Sequence, residues 1–207
     1  MAQNILDSLK DANLVPSKVI PADFTPTFHL NVHFPTKAIS NGTLVRVSEV
    51  KQTPSISISA ISPTTTTTET PEQSFTFMLI DPDAPTPDDP KFGYWRHWVV
   101  TNIPFSSPTT SKQSEEQTKA ASMVDTGRTL TQYLPPGPKD ESGPHRYLFL
   151  LFAEPEQRLK LEKSDVGGEE FVERRSFRAE EFVQRHGLRL VGVQWMRGVG
   201  DGWKGPE

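Results

Sequence analysis

Cysteine is absent from the 207 residues, which excludes disulfides, thiolate metal sites and cysteine nucleophiles and is compatible with a reducing compartment. Long apolar runs are missing too. No stretch approaches the roughly 20 residues that cross a bilayer, and the opening "MAQNILDSLKDANLVPSKV" has no basic stretch leading into an apolar one. A soluble, cytoplasmic chain without stable membrane insertion is expected. Basic blocks are also lacking: 22 lysines and arginines are scattered along a chain with 26 acidic residues, and a formal charge of -4 leaves no electrostatic footprint for nucleic acid. Two common hydrolase signatures, the G-x-S-x-G elbow and H-E-x-x-H, do not occur.

What the chain does have is 19 prolines punctuating short apolar segments. Its length suits one domain over residues 1–207. A short helix is expected at about 4–12, where Ile5, Leu6 and Leu9 recur at helical spacing ahead of Pro16 and Pro21. Phe28, Leu30, Val32 and Phe34 alternate with His29, Asn31 and His33, the period of a strand with one buried face, and residues 44–50 and 55–61 repeat it. Residues 75–80 and 147–152 are apolar on both faces, as central strands are, and 95–103 supplies another strand. The tracts "SPTTTTTETPEQS" and "SSPTTSKQSEEQ" are too polar to pack and read as flexible loops at about 62–73 and 106–117. Helical period returns at "FRAEEFVQRHG", which stops at Gly187 before a strand at 188–195. The spaced glycines of "RGVGDGWKG" lack the strand-to-helix setting of a dinucleotide loop, so 198–207 reads as a flexible tail. Many strands and few helices make the fold class mainly β with peripheral helices.

Chemistry concentrates in "FMLIDPDAPTPDDPKFGYWRHW", where four aspartates and four prolines follow an apolar strand and lead into Trp95, His97 and Trp98. Strand alternation places His97 with Trp95 and Val99, and His145 with Tyr147 and Phe149. If those strands are neighbours, Asp81, Asp83, His97, His145 and Tyr147 converge at one end of a sheet. Taken singly, Asp-Pro-Asp is most often a turn and a histidine beside tryptophan most often a packed side chain. A metal is not expected: Asp81, Asp83, Asp88 and Asp89 are interleaved with Pro82, Pro85, Pro87 and Pro90, not with the glycine turn and distal glutamate of a calcium loop. No cofactor is implied.

Taken together, "DPDAP" at 81–85, "YWRHW" at 94–98 and "GPHRY" at 143–147, in that order and each beside an apolar strand, resemble the phosphatidylethanolamine-binding protein family. The resemblance extends over roughly residues 20–197, and the opening "VIPADFTPTF" with the inserted loops is most similar to the fungal and yeast carboxypeptidase Y inhibitor branch. It implies an antiparallel β-sandwich with a few helices and a small anion pocket formed by Asp81, Asp83, Ala84, Pro85, Phe92, Trp95, His97, Leu134, Gly137, His145 and Tyr147. The proline register of "YLPPGPKDESGPHRY" departs from the animal pattern, which touches Leu134 and Gly137 first. Two aspartates cannot face an anion at contact distance, so their charge should point elsewhere, one of them onto a histidine that it holds as imidazolium. Arg146, on the opposite face from His145, is expected as an ion-pair partner.

The resemblance implies a binding and regulatory protein that recognises a phosphate-like or carboxylate anion, such as a phosphatidylethanolamine head group, and inhibits or modulates a serine carboxypeptidase or a kinase in signalling. Its alternative is an enzyme of fungal secondary metabolism that uses the two histidines for acid-base chemistry on a carboxylated small molecule, as in maleidride-type assembly. A third reading, brief contact with a phospholipid surface, has no basic amphipathic helix or polybasic cluster behind it.

Overall fold

The period-2 pattern at Phe28–Phe34 is strand β1: Leu30, Val32 and Phe34 are buried while Asn31 and His33 face solvent. The computed structural model describes residues 2–61, 73–105, 122–156 and 159–206. Strand β1 pairs antiparallel with β2 (Lys37–Ile39) and β4 (Ser55–Ala60) in a three-stranded sheet. A second sheet holds β3 (Thr43–Arg46), β5 (Gln73–Asp81), β6 (Trp95–Phe105), β7 (Arg128–Thr131), β8 (His145–Ala153) and β9 (Arg189–Val199). Its order is β3-β9-β8-β5-β6-β7. All its pairings are antiparallel except β3 with β9, so the antiparallel sandwich becomes mixed at that one edge.

The continuous apolar runs of β5 and β8 follow from burial on both faces. Phe75, Phe77, Leu79, Phe149 and Leu151 meet Leu30, Val32, Ile56 and Ile58 between the sheets. Met78, Ile80, Leu148, Leu150 and Phe152 face the other way, against Ile5 and Leu9 of helix α1 (Ala2–Asp11) and Phe182 of helix α2 (Ala179–Arg185). Each such side chain, fully buried, stabilises by about 1.5–3 kcal/mol. Helix α1 is docked further by the indole N–H of Trp195, which donates to Ser8 Oγ at 2.7 Å. Among the described residues no helix is long and apolar enough to cross a membrane.

Three expectations need correcting. The strand expected at 44–50 ends at Arg46 and turns into a 3-10 helix at Val47–Val50, because Glu49 reaches back to accept the Arg46 N–H at 2.7 Å. Strands β2 and β7 went unrecognised; at three and four residues they are too short to display a period. Residues 198 and 199, assigned to a flexible tail, finish β9, and the chain beyond is tied down: the Arg46 guanidinium donates to the carbonyls of Gly200, Asp201 and Trp203. The two polar loops lie outside the described residues, save Gln73, which opens β5.

Candidate functional site

Antiparallel order brings the end of β5 beside the starts of β6 and β8, so Asp81, Trp95 and His145 arrive at one edge of the large sheet. Asp81 Oδ2 accepts from His145 Nδ1 at 2.8 Å, with both side chains 4% exposed. The other Asp81 oxygen accepts the N–H of Asp83 at 2.6 Å, the turn geometry of an aspartate bonding two residues ahead. These bonds orient the His145 ring with its proton on Nδ1 and leave Nε2, which is buried and has no hydrogen-bond partner.

A β-bulge delivers the second histidine. Leu79 pairs with Trp98 and Ile80 with Arg96, so His97 is an extra residue in β6. His97 shares a side with Trp95, as alternation requires, but Trp98 rather than Val99 comes next on that side. The bulge thus lets Trp98 and Val100 fill the space between the sheets while His97 turns toward Tyr147, ring centroids 5.3 Å apart. His145 stacks on the same tyrosine at 6.3 Å. His97 Nδ1 donates to the Leu134 carbonyl at 2.7 Å, and the Leu134 N–H returns a bond to the His97 carbonyl at 2.9 Å.

Burial pushes the His97 pKa down, against the opposing pull of Asp81 and the Leu134 bond. The shift favours the neutral ring, which presents an acceptor Nε2, and the histidine held by a carboxylate is His145. Burial, then Asp81 and Asp83, raise Tyr147 well above the usual phenol range, so its hydroxyl keeps its proton.

Asp83 turns its carboxylate to Arg146. Its carboxylate, 2% exposed, accepts from the Arg146 backbone N–H at 2.7 Å, Nε at 2.9 Å and Nη2 at 2.6 Å. Arg146 also donates to the Ala12 carbonyl at 2.9 Å, which ties the pocket loop to the end of α1. The role expected of Arg146 is the one it has. Ala84 is buried and its carbonyl accepts the Phe92 N–H at 2.9 Å, closing the proline loop, whereas Pro85 is exposed. The loop also depends on Gly93, where a Cβ would overlap the Pro82 carbonyl. Leu134 reaches the site through its backbone. Gly137 is exposed, with open space where a side chain would stand.

Residues with no sequence signal complete the rim. The Arg175 guanidinium lies 4.5 Å from the Phe92 ring centroid and 5.9 Å from Trp95, and Phe171 meets Trp95 edge-on at 4.8 Å. Behind them buried Arg174 donates to the carbonyls of His97 at 3.1 Å and Gln132 at 2.9 Å. Arg96 bonds Thr131, Gly168 and Glu173; burial and the charge of Arg174 push its pKa down to about 10. A separate open cavity of about 440 Å³, lined by Asn102, Arg128, Leu159, Lys160 and Glu162, lies toward the far end of β6 and holds no histidine. Among the described residues no three His, Asp or Glu side chains are grouped to hold a metal ion.

The chain is similar to known proteins along most of its length. It is 32% identical to TERMINAL FLOWER 1 of Arabidopsis thaliana over 136 residues, 66% of this chain but only 63% of that relative, and so less than two thirds of it. It is 26% identical to the carboxypeptidase Y inhibitor of Saccharomyces cerevisiae, covering 74% of this chain and 75% of the relative. Among solved structures, carboxypeptidase Y inhibitor complexed with its cognate proteinase superposes with a TM-score of 0.73 at 20% identity, over 97% of each chain. The phosphatidylethanolamine-binding protein from Plasmodium vivax gives 0.68 at 20% identity, over 95% of this chain and 97% of that one. At that identity the likenesses fix the fold. The sequence profile of phosphatidylethanolamine-binding protein matches residues 26–193, a span that contains the Asp81–His145 pair, the His97 bulge and the Asp83–Arg146 bridge, and the chain belongs to that family.

Proposed function

We propose that this chain is a binding regulator that takes a phosphate-like or carboxylate anion at the His97–His145 pair and acts as an inhibitor of a carboxypeptidase. The observation that carries the anion site is His145 Nε2: a buried ring nitrogen with no partner, on a ring whose other nitrogen is held by Asp81. Leaving a buried polar atom unsatisfied costs about 1–3 kcal/mol, which a ligand oxygen repays. With a second proton on the ring, Nε2–H donates to an anion, and Asp81 balances the charge from the far side. Neutral His97 takes a hydrogen bond from a protonated ligand oxygen, so a monoprotonated phosphate or phosphate ester fits both rings. Asp83 does not repel that ligand because Arg146 neutralises it.

The regulatory half rests on family membership and on similarity to the yeast carboxypeptidase Y inhibitor in sequence and fold. The test is the peptidase activity of purified yeast carboxypeptidase Y titrated with the full chain. Saturable inhibition at submicromolar concentration is expected. Full activity at a large molar excess of the chain would overturn the inhibitor assignment while leaving the anion site to be judged by its own titration.

A further inference from the structure

We propose that Phe171, Val172 and Arg175 form a second contact surface beside the anion site, fitted to a partner segment that carries an aspartate or glutamate flanked by apolar side chains. It deepens the preceding reading, because Trp95 is the rim that both sites share. Phe171 and Val172 are consecutive, 60% and 61% exposed, and are the large apolar side chains left out in solvent among the described residues. They do not fray from the fold. The 3-10 helix that carries them, Phe171–Arg174, is anchored by Arg174, itself 6% exposed, on the carbonyls of His97 and Gln132, and by Arg96 on those of Gly168 and Glu173. A rigid apolar pair held out in water marks a contact surface, since presenting it to a partner loses little conformational freedom.

Charge chooses the occupant. Lys18, Lys37, Lys91, Arg128, Arg146, Lys163 and Arg178 each lie within 4 Å of a carboxylate. Arg175 has no carboxylate and no hydrogen-bond acceptor among the described residues; its Nε is buried unpartnered, and its guanidinium lies over Phe92 and Trp95. A guanidinium fixed on aromatic faces keeps its terminal N–H groups oriented for a bidentate carboxylate. A segment laid along Phe171 and Val172 with an acidic side chain at Arg175 satisfies both halves, and the anion site then engages a phosphate or carboxylate farther along the same partner.

The experiment titrates the ¹⁵N-labelled full chain with two capped peptides, Ac-Leu-Asp-Leu-NH₂ and Ac-Leu-Asn-Leu-NH₂, each with and without saturating inorganic phosphate, following backbone amides and the Trp95 indole N–H. The aspartyl peptide is expected to shift residues 171–175 and Trp95 and to bind about fivefold tighter than the asparaginyl one. Arg175→Gln should erase that fivefold preference, and Phe171→Ser with Val172→Ser should weaken both peptides. Equal affinity for the two peptides, a preference that survives Arg175→Gln, or shifts located elsewhere would overturn the proposal. Phosphate binding without peptide binding removes only this surface, whereas peptide binding without phosphate binding keeps the surface and removes the anion site.

Discussion

Asp83→Ala and Arg146→Ala break the same ion pair, yet the structure makes their consequences unequal. The Asp83 side chain is 2% exposed and that of Arg146 30% exposed. Removing one partner of a buried pair costs about 3–5 kcal/mol because the other charge is stranded. Stranded Arg146 can hydrate partly and keeps its bond to the Ala12 carbonyl, so Asp83→Ala belongs at the low end, about 3 kcal/mol. Stranded Asp83 cannot hydrate, so Arg146→Ala belongs at the high end, about 4–5 kcal/mol. For a chain of this size 1 kcal/mol is about 2–4 °C in Tm, which puts the first variant about 6–12 °C below the parent and the second lower still. Urea unfolding at pH 7 measures both, and the double variant gives the coupling energy. Phosphate affinity at a temperature where the variants remain folded should stay within about threefold of the parent for Asp83→Ala, since both carboxylate oxygens of Asp83 are taken up by Arg146. The reasoning fails if Asp83→Ala is the more destabilising variant, if both lose less than about 1 kcal/mol, or if Asp83→Ala abolishes phosphate binding.

Burial lowers the folded pKa of His97 below the unfolded value of about 6.5, so the unfolded chain binds more protons as pH falls through 6.5. Its contribution is complete above about pH 6.5 and is lost below it, by at most about 1.4 kcal/mol per pH unit until the folded ring protonates. Urea melts of the parent and of His97→Asn, which keeps a donor for the Leu134 carbonyl, should show a shallower acid slope in the variant; equal slopes would contradict the assignment. Gly93→Ala pushes a methyl into the Pro82 carbonyl and should cost on the order of 2–3 kcal/mol, because a backbone oxygen cannot swing aside; a loss under about 0.5 kcal/mol by thermal melting would show that the loop yields. Ser8→Ala strands the Trp195 indole N–H and should cost about 1–2 kcal/mol, measured the same way, with no change at the histidines; phosphate binding altered by that variant would count against the separation of the two regions.

Strand β1 was legible because Leu30, Val32 and Phe34 bury one face and His33 does not, a purely local pattern. The central strands announced themselves by being apolar on both faces. The bulge did not: nothing in "YWRHW" says that Ile80 will pair with Arg96 while Leu79 pairs with Trp98, and that register decides that Trp98 rather than Val99 follows on the side of His97. The two aspartates of "DPDAP" looked equivalent until tertiary pairing gave Asp81 to His145 and Asp83 to Arg146. Gly137 entered through the family motif alone, while Arg175 and Phe171 stand in "EEFVERRSF", where no period or motif marks them. Short-range pattern reports burial; which side chains meet at a site depends on long-range register.

The central claim is that His145 Nε2 holds an anion, and sulfate tests it most directly, since it has no proton of its own to exchange near neutral pH. Sulfate titrated at constant pH while the His145 ring is followed by NMR should shift the ring's Nε2 and Cε1 resonances and lose at least about tenfold in affinity in His145→Ala. Ring resonances unmoved by saturating sulfate, or an alanine variant that binds as tightly as the parent, would contradict it.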